Sequence, residues 1–401
     1  MYLSEQWTDN FNQTATNKQT NYRTTLGPGA YFVINGPSTK GFLSGNAGLT
    51  YDTAPNSSNF NVLPTITAGL FQIFSPRLSL SLTNSYVRNN NPTYGDVFGL
   101  NTQRQTFTSN SLSASLNYLI DIVSTQLYYR NSIYNTSGNN STIGGNSTSD
   151  TTSNIIGASA STQIGIYNTV SLGYEYSWSD TSGGGAGINS GESHGNLVTA
   201  TIARQTGIYS SVGLTGSYAV YSPSQQPDNH IWNFSVFSTY GLPSGLSFSG
   251  SLGVSQFSQD GQPTSTGVTS NSSVSYAFGK AVATLGIFSG FRNTGLDGQN
   301  FGVVQTQAYT ASLLYTFTPL VTGSIFGTYA ENSPTGSGNN ANGQNSSNLT
   351  ATANLSWQVL RWLNLSGNYT YLLRSNPTTG SLTGSGSVPV NTVTLTLGAT
   401  F

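Results

Sequence analysis

Two histidines, His194 and His230, are the side chains in this chain best suited to acid–base or metal chemistry. Each stands beside a polar segment, "GESHGN" and "QPDNHIW", with a carboxylate two residues away, Glu192 and Asp228. A metal site would need the fold to gather all four, and the ligand spacings typical of zinc are absent. The plainer reading is two solvated loop histidines, so no metal or cofactor is expected. Serine occurs throughout, so a Ser–His pair cannot be read from sequence. Carboxylates do not recur in pairs within one segment. "SGGGAG" lacks the Lys–Ser/Thr and the helix of a phosphate cradle. Cysteine is absent, which excludes disulfides and thiolate ligands. No enzyme is expected.

A second group of candidates is charged and sparse. Glu175 falls between Tyr174 and Tyr176, and Arg130 and Arg374 also fall on the polar phase of alternating segments. Arg292 joins them in a segment that alternates less cleanly. Charges on the polar side of a strand can line a water-filled passage and form a constriction. They are expected near strand ends, as isolated rim charges or a sparse constriction.

The elements that must position these residues are strands. "NTVTLTLGATF" closes the chain with Val393, Leu395, Leu397, Ala399 and Phe401 in one phase and threonines and Gly398 in the other. Period two gives each set its own face of a strand. "SSNLTATANLSWQVL" repeats the pattern, with Leu349, Ala351, Ala353, Leu355 and Trp357 together. Hairpins recur along the whole chain. Pro76, Pro243 and Pro319 sit in short turns, where a missing N–H does no harm. Between hairpins lie long runs of Gly, Asn, Ser and Thr, such as "TSGNNSTIGGNSTSD". The count is about 20 strands (18–22), many longer than the ordinary soluble strand. No linker interrupts them, so 1–401 reads as a single domain.

Charge then separates a soluble sandwich from a membrane barrel. Charged residues make up 6% of the 401, against about 25% in soluble domains. Net charge is −1, so no nucleic-acid partner is expected. No apolar run is long enough for a membrane-spanning helix. The start, "MYLSEQWTDN", has no basic or apolar leader region, so an exported form with its leader removed is the expectation. Polar faces carry Ser, Thr and Asn instead of Lys and Glu. Aromatics gather at both strand ends. Tyr174, Tyr176, Trp178, Tyr218 and Trp232 lie toward the long loops, and Tyr118, Tyr240, Tyr315, Phe317 and Trp357 toward the short turns. Two belts of this kind are the girdles of a barrel crossing a bilayer. The fold expected is all-β: a transmembrane antiparallel up-and-down barrel with short periplasmic turns and long extracellular loops, in the bacterial outer membrane.

The last strand, with Leu395, Leu397 and the terminal Phe401, resembles the C-terminal signal of bacterial outer-membrane proteins. That resemblance implies recognition by the barrel-assembly machinery during biogenesis. Residues 5–32 resemble the opening of the β-barrel porin 2 family, through Trp7–Thr8–Asp9–Asn10 and Gly27–Pro28–Gly29. It implies an outer-membrane pore or exporter. The composition departs from that family in its scarcity of Arg and Asp. The expected activity is passive passage or export of neutral or bulky hydrophilic solutes such as saccharides. The alternative is a structural scaffold, adhesin base or sheath for another protein. Expected partners are outer-membrane lipid and lipopolysaccharide, with a homo-oligomer or a periplasmic or extracellular protein open as further ones.

Overall fold

The computed structural model describes residues 1–11, 18–54, 60–90, 106–137, 149–182, 191–224, 227–293, 303–335, 346–375 and 387–400. Nearly all of them are strand. In chain order these are β1 (Tyr2–Thr8), β2 (Asn21–Gly27), β3 (Gly29–Asn35), β4 (Thr39–Asp52), β5 (Phe60–Ser75), β6 (Leu78–Asn89) and β7 (Thr106–Ile120). Next come β8 (Val123–Ser137), β9 (Ser149–Ile164), β10 (Asn168–Ser182), β11 (Gly191–Gly207), β12 (Ser210–Pro223), β13 (Asn229–Gly241) and β14 (Leu246–Gln259). The last are β15 (Ser265–Phe278), β16 (Ala281–Asn293), β17 (Val303–Thr318), β18 (Val321–Thr335), β19 (Ser346–Leu360), β20 (Leu363–Ser375) and β21 (Val388–Ala399).

β2 and β3 both pair with β4 in one register, Leu26 with Leu49 and Gly29 with Asn46. They are two halves of one strand divided at Pro28, whose ring leaves no N–H while its carbonyl still accepts from Ala47 N at 3.0 Å. The wall therefore has 20 strands, each antiparallel to its neighbours. β1 closes it against β21, from Tyr2 opposite Gly398 to Thr8 opposite Thr392. Closure leaves no lipid-facing edge along that seam. Phe401 lies outside the described residues.

The Trp7–Thr8–Asp9–Asn10 stretch clamps the extracellular end of the seam. Asp9 Oδ1 accepts from Asn391 N at 2.7 Å, and Oδ2 from Asn391 Nδ2 at 2.6 Å. Asn10 Nδ2 donates to the Pro389 carbonyl at 3.0 Å.

Short turns join the periplasmic ends. Asp121 adopts φ 56° in the tight turn between β7 and β8, a left-handed position that Asp tolerates better than most side chains. Cross-strand pairs keep one phase all round the wall. Leu355 is opposite Gly323 and Gly367, and Leu395 is opposite Gly367 and Glu5. The aromatics named above fall in that same outward phase: Tyr174 opposite Val198, Tyr218 opposite Trp232, and Tyr315 opposite Ala281 and Gly323. Hence the apolar belt with two girdles faces lipid, and the Ser, Thr and Asn phase faces the lumen. Glu5 is an exception in the belt. It is held by the Thr24 hydroxyl at 3.0 Å.

Burial within the lumen phase is graded. Toward the extracellular end Ala330 (0%), Asp52, Thr151 and Ser255 are buried. At mid-height and below, Gln126, Ser171, Thr201, Asn271 and Asn354 are half-buried or exposed. The barrel is crowded at its extracellular mouth and roomy toward the periplasm.

Candidate lumen site

Arg130 and Glu175 come together through a residue that sequence reasoning missed. Arg130 and Tyr128 project inward from β8, and Glu175 projects inward from β10. Between them, on β9, stands Gly157, opposite both Tyr128 and Glu175. A Cβ at Gly157 would collide with the Tyr128 ring, so glycine is what lets the ring lie flat on the wall. The Tyr128 hydroxyl donates to Glu175 Oε1. The Arg130 guanidinium carbon lies 4.9 Å from the Tyr128 ring centroid, a cation–π contact. One positive and one negative charge are thus bridged by one phenol.

Both charges stand mid-strand. Arg130 is in the middle of Val123–Ser137 and Glu175 in the middle of Asn168–Ser182. This corrects the expectation of strand-end positions. Pairing continues through "NSIYNTS" and "SDTS", where apolar alternation has already faded, because backbone hydrogen bonds do not depend on side-chain polarity. Arg292 and Arg374 do lie near the extracellular ends of β16 and β20, away from this cluster. Arg374 faces inward and is buried at 3%.

A second lumen pair was also missed. Arg23 donates from Nε and Nη2 to the two oxygens of Asp52, both at 2.8 Å. Asn21 Nδ2 adds a third donor to Asp52 at 2.7 Å. Both charges are buried and mutually neutralised, the geometry in which such a pair persists. Four of the lumen charges, Arg23 with Asp52 and Arg130 with Glu175, are therefore compensated in place.

The histidines are not in loops. His194 lies in β11 and His230 in β13, both in the outward phase at the extracellular girdle. Each imidazole Nδ1 meets a tyrosine hydroxyl, Tyr176 at 3.1 Å and Tyr218 at 2.9 Å. Each Nε2 faces a carboxylate, Glu192 at 3.9 Å and Asp260, not Asp228, at 4.0 Å. Among the described residues no three His, Asp or Glu side chains converge as metal ligands. Tyrosines on neighbouring strands predict such contacts once register is known, but register is not visible in sequence.

No family model and no curated protein matches the sequence, so the resemblance to the β-barrel porin 2 family is not confirmed. Solved structures do match in shape. A ferric enterobactin receptor of Pseudomonas aeruginosa with bound enterobactin has a TM-score of 0.54 at 13% identity, over 100% of this chain and 81% of that one. The siderophore receptor PirA of Acinetobacter baumannii gives 0.53 at 10%, over 98% and 80%. The FrpB iron transporter of Neisseria meningitidis gives 0.54 at 11%, over 98% and 81%. At such identities the likeness is one of fold. Together with the closed wall and its lipid belt, it identifies the chain as a bacterial outer-membrane β-barrel.

Proposed function

We propose that this barrel is a passive conduit for uncharged, hydroxyl-bearing solutes, saccharides among them, and that it performs no catalysis. The observation that carries this reading is the mid-height wall. It is mainly Ser, Thr and Asn, with Leu314 and Phe326 among them, and the charges of Arg130 and Glu175 are bridged through Tyr128. Hydroxyl and amide groups exchange hydrogen bonds with a passing sugar without trapping it. Bridged opposite charges leave little net field for ions at distances beyond about 8–10 Å, the Debye length at ordinary salt. The crowded extracellular end supports a size limit there. Outer-membrane lipid and lipopolysaccharide would contact the belts. The barrel-assembly machinery would read the last strand through Leu395, Leu397 and Phe401.

Swelling of proteoliposomes in neutral sugars of rising size tests the reading. Swelling that falls smoothly with sugar size supports it. No swelling by folded protein contradicts it and favours a scaffold. A second reading, uptake of a metal chelate, draws on the fold likeness to ferric siderophore receptors. Saturable binding of a ferric siderophore to the purified barrel, with no sugar flux, would favour that reading.

A further inference from the structure

Toward the extracellular end the wall parts between β15 and β16. Their pairing stops at Ser270 opposite Ser289. Above it, among the described residues, 265–269 pair only with β14 and 290–293 only with β17. Ser289 Oγ donates to the Val268 carbonyl at 2.8 Å, a side-chain bond at the point where the ladder ends. Gly290 follows, a residue type that eases a bend in a strand. On the other flank β18 has no β19 partner beyond Asn332, yet it pairs with β17 as far as Thr335 opposite Val303. Residues 290–293, 303–306 and 332–335 thus form a three-stranded tip with no ladder to the wall on either edge above those points.

The tip leans into the lumen. Phe291, Gln305 and Val303 share the phase that faces lipid lower on β16 and β17. Here that face lies against the inner side of the wall. The Phe291 ring centroid is 5.9 Å from that of Phe257, which projects inward from β14, two strands away. Between them, on β15, is Gly267, where a Cβ would stand 3.5 Å from the Phe291 ring and 2.9 Å from Gln305 Nε2. Val303 shares one buried cluster with Phe257, Ile231 and Ala219, inward residues of β14, β13 and β12. These differ from the apolar side chains lower in the lumen. Phe257 and Val303 are 3% exposed, whereas Leu314 is 48% and Phe326 44% exposed. The other face of the tip is covered too, with Val304, Thr306 and Asn332 buried. The tip therefore crosses one side of the extracellular mouth.

We infer that this inturned tip sets the size limit of the conduit, and that Phe257, Gly267 and Phe291 are its specificity-determining residues. The inference rests on the conduit reading above and names the element that does the sieving. A solute entering from outside must pass beside the tip, so the position of the tip fixes the free opening. Ladder bonds to β15 and β19 do not hold it there. The apolar contact does, with one ring seated over a bare backbone and against a second ring, both removed from water.

The test uses the whole barrel in proteoliposomes and neutral sugars of rising size. Phe291→Ala removes the ring, and Gly267→Leu fills its seat while leaving the ring in place. Both folded variants should admit sugars that the wild type excludes. A second readout needs no flux. The chain has no cysteine, so Ser255→Cys places a single thiol opposite Gly267, at a position that is 1% exposed. Its maleimide labelling should be slow, and adding Phe291→Ala should speed it about tenfold or more, because a buried ring is among the costliest side chains to delete. A sugar cut-off unchanged from that of a permeable wild type, in both folded variants, would overturn the inference and leave the conduit reading standing. So would labelling no faster with Phe291→Ala. No swelling by the wild type or by either variant would overturn the conduit reading, and the inference with it.

Discussion

Arginine at Leu355 should cost the barrel far more stability than arginine at the adjacent Asn354. Leu355 faces out and is 51% exposed, whereas Asn354 belongs to the lumen phase. Leu355 stands five residues from the periplasmic end of β19 at Leu360. At about 3.4 Å per residue and a tilt of about 40°, that places it about 13 Å above the turn, near the middle of a belt about 25 Å tall. Arginine near mid-belt costs about 2–4 kcal/mol, so about 3 kcal/mol is expected at Leu355. At Asn354 the guanidinium meets water, and a change within about 0.5 kcal/mol is expected. Denaturant titration of the barrel refolded into liposomes, followed by tryptophan fluorescence, reads both. Equal losses, or a larger loss for Asn354→Arg, would refute the assignment of faces.

Removing the Asp9 carboxylate by Asp9→Ala should loosen the β1–β21 seam by about 1.5–3 kcal/mol, the range for a hydrogen bond to a charged group. A lower temperature for loss of the folded band in unboiled electrophoresis would show it, and an unchanged one would contradict it. Gly157→Val should displace Tyr128 and detach it from Glu175, altering channel conductance while the barrel still folds; unchanged conductance would count against the bridge. Arg130→Ala should shift the bilayer reversal potential toward cations and Glu175→Gln toward anions. Matching shifts in one direction would mean the two charges do not act as a balanced pair. Phe401→Asp should lower the cellular yield of folded barrel while leaving refolded protein stable, and normal yield would argue against an assembly signal.

The lipid and lumen faces were legible because alternation and scarce charge are properties of the sequence alone. Leu355, Leu395 and the aromatics of both girdles fall where their phase implies. Strand ends were less legible. Pairing runs past Arg130 and beyond Trp178 into segments with no apolar signal, so charges expected at the rim stand at mid-height. The Tyr128–Glu175 contact joins residues 47 apart and depends on register across β9, which no local pattern encodes. A glycine opposite an inward aromatic, as Gly157 is to Tyr128, is a recognisable sign only once neighbouring strands are aligned. The Pro28 break was visible as a Gly–Pro–Gly step. That it divides one strand follows only from the pairing with β4.

The most direct test of a weakly selective conduit is single-channel recording of the purified barrel in planar bilayers under a salt gradient. The account predicts steady open steps, conductance nearly proportional to bulk salt and a reversal potential close to zero. A silent barrel, or a reversal potential near the limit for one ion sign, would contradict it.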